Sequence, residues 1–68
     1  MLSILTEWLS MRANHAPVTV RFHDSENSSE RIMLRVDATG VVLARRENIS
    51  GWSAYPWREI AAISPVLN

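Results

Sequence analysis

From Pro17 onward the apolar residues of this chain recur every second position, in runs too closely spaced for anything but short strands. Val18, Val20 and Phe22 alternate with Thr19, Arg21 and His23, which predicts a strand with one face on a core. Ile32, Leu34 and Val36 alternate in the same way with Arg31, Met33 and Arg35, so the first three should point inward. Val41 to Arg45 is apolar almost throughout and predicts a third strand covered on both faces. Trp52 to Tyr55 and Ile60 to Val66 read as the fourth and fifth. The connections are the polar stretch 24–30, Asp37-Ala38-Thr39-Gly40, the stretch 46–51 and the corner Pro56 to Glu59. Gly40 would supply a positive φ in its turn. None of these links is long enough for a helical crossover, so successive strands should be antiparallel. Five such strands in a span of about fifty residues predict a strongly bent sheet closed as a small barrel.

The first residues obey a different period. Leu2, Leu5, Trp8, Leu9 and Arg12 lie three or four apart, which predicts a helix over 3–14 with Ser3 as its N-cap. Pro17 biases Ala16 away from helical angles and ends it. The expected architecture is therefore mainly β with one N-terminal helix, a single domain over 1–68 whose barrel occupies 17–66.

A core this small supplies only ~3–5 kcal/mol, and folds of this size are usually stapled. Disulfides are excluded, because the 68 residues include no cysteine. His15 and His23 are the only imidazoles and no compact ligand spacing surrounds them, so neither metal nor other cofactor is expected. Self-association is what remains, and a chain that is 47% apolar with three tryptophans can furnish the interface.

Seven basic and seven acidic residues cancel, which argues against strong non-specific binding of nucleic acid by counterion release. All seven bases are arginine, suited to planar, bidentate contacts. The opening stretch lacks a basic region and a cleavage site, and no run approaches the ~20 apolar residues of a membrane span. A cytoplasmic location without membrane association is the expectation.

Candidate site residues are few. Tyr55 and Trp57 flank Pro56 and read either as stacking platforms for bases or as rings that close the barrel end. Tyr55 and Trp52 could equally serve a subunit interface, where rings are enriched. Asp37 could accept from a base edge or cap its own turn, as aspartates in turns commonly do. Arg45-Arg46 is the only adjacent basic pair, open to a phosphate or to an ion pair. Arg21, Arg31 and Arg35 should form one outward stripe. His23 and Asp24 are strand neighbours and point apart, and no nucleophile, phosphate loop or carboxylate pair stands at a useful spacing. An enzyme with a small-molecule substrate is not expected.

In order and spacing, three stretches resemble the Sm-like family, specifically its bacterial Hfq-like branch. They are Ala16 to Phe22, Leu34 to Asp37 with Val41 to Leu43, and Tyr55 to Pro65. The resemblance implies an N-terminal helix on a five-stranded SH3-like barrel, assembled into rings of five to seven subunits through the fourth strand of one and the fifth of the next. It also implies single-stranded RNA binding on the ring surface or around the pore. Carried onto this chain, the contacts would be Asp37, Thr39, Tyr55, Trp57 and Arg58, with Arg12 on the rim. The chain departs from the pattern at Pro56-Trp57, where Hfq-like proteins have a Lys-His pair, and in the loop after the first strand, where glycine is usual. The alternative is the same barrel as an oligomeric structural or protein-interaction module without RNA.

Overall fold

In the computed structural model, which describes residues 2–12 and 15–66, the strands lie in one antiparallel sheet of order β4-β3-β2-β1-β5. Helix α1 (Leu2–Met11) precedes β1 (Ala16–Phe22), β2 (Ser29–Val36), β3 (Gly40–Arg45) and β4 (Asn48–Pro56). A single 3-10 turn, Trp57–Glu59, then leads into β5 (Ile60–Pro65). Successive hairpins build the first four strands in sequence order. β5 returns to the far side of β1, where Val20 faces Ile63 and Val18 faces Pro65. Pro65 lies on an edge strand, where the missing N–H breaks no central ladder.

The sheet curls strongly. β1 and β4 are three strand steps apart, or roughly 14 Å across a flat sheet. Yet the rings of Phe22 and Tyr55, one from each, meet with centroids 4.8 Å apart. The His23 N–H also reaches the Glu59 carbonyl at 3.0 Å, drawing the end of β1 to the corner before β5.

Inside the curl lies one apolar cluster: Ala16, Val18 and Val20 from β1, Met33 from β2, Val41 and Leu43 from β3, Ile60 and Ile63 from β5. Leu5 and Leu9 of α1 complete it, with Trp8, Phe22, Val36, Tyr55 and Trp57 packed around them. A helix this short is marginal alone and is held by that face. It is also pinned by a hydrogen bond, because the Trp8 indole N–H donates to the Pro17 carbonyl at 3.0 Å. The same oxygen accepts from the Val66 N–H at 3.0 Å, so both of its lone pairs are used.

Several expectations are corrected. The barrel is not closed: β4 and β5 are the two edges of the sheet and share no ladder. β4 is nine residues long, because Arg46-Glu47 makes a tight turn and the strand begins at Asn48 rather than Trp52. In β2 the register shifts between Met33 and Arg35, a bulge that puts Met33 on the core face, while Val36 packs on the core and Arg35 is exposed as expected. Met33 enters the core, whereas Ile32 is buried with its partner Ala44 outside that cluster. Helix α1 begins at Leu2, so Ser3 lies inside its first turn, and it ends at Met11; positions 13–14 of the expected helix fall outside the described residues. Val41, Leu43 and Ala44 are all buried, as the unbroken apolar run of the third strand implied. Among the described residues no helix is long and apolar enough to cross a membrane.

Candidate functional site

The link between β2 and β3 is organised by one carboxylate. Asp37 Oδ1 accepts from the Thr39 hydroxyl at 2.6 Å, the Thr39 N–H at 2.8 Å and the Gly40 N–H at 3.1 Å. The Asp37 N–H donates to the Gly40 carbonyl at 3.0 Å and closes the turn. The Thr39 hydroxyl chiefly, then the two backbone donors, hold the carboxyl below its ordinary value of 3.8, and Arg35 adds to the effect. Gly40 serves this turn through space rather than through a left-handed backbone: a Cβ there would overlap the Tyr55 carbonyl oxygen of the neighbouring strand. The expected positive φ is thus replaced by a close approach of two backbones.

The corner after β4 locks onto this turn. Pro56 holds φ at −69° and directs the chain into the 3-10 turn. The Trp57 N–H donates to the Thr39 carbonyl at 3.3 Å, and its indole N–H to the Asp37 carbonyl at 2.8 Å. Trp57 also packs on the core. Its ring is therefore a brace between two corners, the packing alternative of the sequence reading.

Between turn and corner lies a cavity of about 280 Å³. Asp37, Thr39 and Tyr55 line it, joined by Arg35, Gly40 and Pro56. Three of the six expected contacts are thereby brought together. Trp57 and Arg58 are not among its lining residues, and Arg58 is exposed on the 3-10 turn. Arg12 does not line it either; it follows the helix and lies over the Trp8 ring, 5.6 Å from the centroid.

Arg35 escaped the sequence reading, which placed it in a stripe with Arg21 and Arg31. The β2 bulge lies between Arg31 and Arg35, and Arg35 lines this cavity while Arg31 lines another. The only signal for it was its position two residues before Asp37. Of the adjacent basic pair, Arg46 meets Glu30 at 3.2 Å, with both side chains more than half exposed. Such a pair contributes ~0–1 kcal/mol.

Chemically, the cavity offers one carboxylate oxygen not engaged by the turn, a guanidinium and a tyrosine beside a half-buried proline. That set can accept from an amino or imino group, donate to an anion and give an apolar surface to a planar ring. Comparison with known proteins gives no match to any family model, curated protein or solved structure.

Proposed function

We propose that this chain is a ring-forming Sm-like protein of the Hfq-like branch that binds single-stranded RNA, with no catalytic activity and a cytoplasmic place of action. The observation that carries this reading is the convergence of Asp37, Thr39 and Tyr55 on one cavity beside Arg35. Its volume, about 280 Å³, is close to the ~300 Å³ at which small-ligand pockets begin, enough for a single planar base. Asp37 would read a base edge, Tyr55 and Pro56 would hold the base plane, and Arg35 would meet the phosphate. Arg58 and Arg12 would add backbone contacts outside the cavity. A ring repeats a weak site several times over, so affinity would come from multivalency rather than from net charge.

Ring formation in this reading uses the two free edges, β4 of one copy pairing with β5 of the next to continue the curl. Fluorescence anisotropy with U-rich and A-rich oligonucleotides tests the RNA claim. Salt-sensitive, micromolar or tighter binding that weakens in Tyr55→Ala is expected, and no binding at low salt would sink it.

A second reading is supported by the same corner. Asp37 Oδ1 already accepts three hydrogen bonds and the Trp57 N–H is already donated. On that reading the residues serve the fold, and the chain is an oligomeric structural or protein-interaction module. An oligomer by light scattering that binds neither oligonucleotide would select it.

A further inference from the structure

A second concavity, of about 170 Å³, lies between β2, β3 and β4, and it differs in kind from the first. Arg31 and Arg45 both line it, together with Ser53 and with Tyr55, which also lines the first cavity. No carboxylate is among its lining residues, although the chain as a whole is neutral. The carboxylate next in sequence to Arg31, that of Glu30, is taken by Arg46. Arg31 spends one nitrogen, Nη1, on the Glu30 backbone carbonyl at 2.8 Å, which fixes the guanidinium and leaves its other donors available. Arg45 has no hydrogen bond or ion pair among the described residues, and the Ser53 and Tyr55 hydroxyls have no hydrogen bond there either. Gly51 adds no side chain to the wall, and a Cβ there would come within 2.7 Å of the Asn48 amide nitrogen.

Two guanidiniums sharing one concavity repel, and an anion between them relieves the repulsion. Two planar forks alone offer more donors than the two oxygens of a carboxylate can use. A phosphate, with three acceptor oxygens or more, matches that set better. We propose that this concavity is a phosphate-binding site, formed by Arg31, Arg45, Ser53 and Tyr55. The phosphate is that of a free ion or of a nucleotide chain, and the two arginines, which do not line the first cavity, carry the site whether or not that cavity holds a base.

The test is an amide and arginine-side-chain NMR titration of the full chain at low ionic strength. Inorganic phosphate, pyrophosphate and a short single-stranded oligonucleotide without terminal phosphates are the probes, with sodium chloride at matched ionic strength as control. Saturable shifts at Gly51, Ser53 and the Arg31 and Arg45 side chains are expected, beyond those from chloride. Arg45→Gln, on an exposed side chain without a partner, should weaken binding about tenfold, as expected for a lost charged hydrogen bond. Arg46→Gln, outside the concavity, should not. Saturation by inorganic phosphate or pyrophosphate alone assigns the site to free phosphate; competition by the oligonucleotide assigns it to a nucleic-acid backbone. Shifts that never saturate, or equal losses in the two variants, would overturn the proposal.

Discussion

Gly40 and Asp37 each constrain the link between β2 and β3 directly. A methyl group on Gly40 would press directly on the β4 backbone, which cannot swing aside as a flexible side chain could. Gly40→Ala should therefore cost about 1–3 kcal/mol, the range for overpacking, read as a lower denaturant midpoint at unchanged slope. Asp37 gives the turn a dependence on pH. Its carboxyl is depressed in the folded chain, so the stability it confers is present above the unfolded value of 3.8. That stability is lost as pH falls through the lower folded value. Thermal melts from about pH 5 down to about pH 2 should show an acid limb that is flatter in Asp37→Ala than in the parent. Equal limbs would show that the hydrogen bonds to Thr39 and Gly40 do not act on the charge.

At the level of elements, α1 is held by two buried leucines and one indole hydrogen bond. Leu5→Ala should cost about 2–5 kcal/mol, since Leu5 is almost wholly buried, whereas Ile4→Ala on the exposed side should change stability by less than about 0.5 kcal/mol. The helix, the number of strands and their order along the chain were legible because each rests on a hydrophobic period. Two features of the strands were not. The bulge in β2 adds a residue without any glycine or proline to announce it, so alternation alone placed Ile32 inward where Met33 stands. The first residues of β4 are exposed, and strand pairing rather than burial defines them, so no apolar period could mark the start at Asn48. The candidate site was half legible. Asp37, Thr39 and Tyr55 were found from the resemblance, whereas Arg35, exposed as expected, was missed because alternation shows which face a residue takes but not which neighbours share a cavity with it.

Across the whole molecule, the governing property is a sheet curled far enough for β1 and β4 to touch yet left open between β4 and β5. An open edge is a standing invitation to pair with another chain. On the ring reading, the apparent melting temperature should rise with protein concentration, and Trp52→Lys on β4 should abolish that rise with little effect on the dilute protein. A melting temperature independent of concentration would argue for a monomer. The three indoles also make the molecule its own light source for this question. Trp8 and Trp57 are half-buried with their N–H groups held by backbone carbonyls, while Trp52 is 58% exposed on the β4 edge. The red side of the emission therefore comes from the edge and the blue side from the interior. A partner settling on β4 would shift the colour and shield it from iodide, whereas loosening of the corner would redden the interior pair, so two events are separable without attaching any dye.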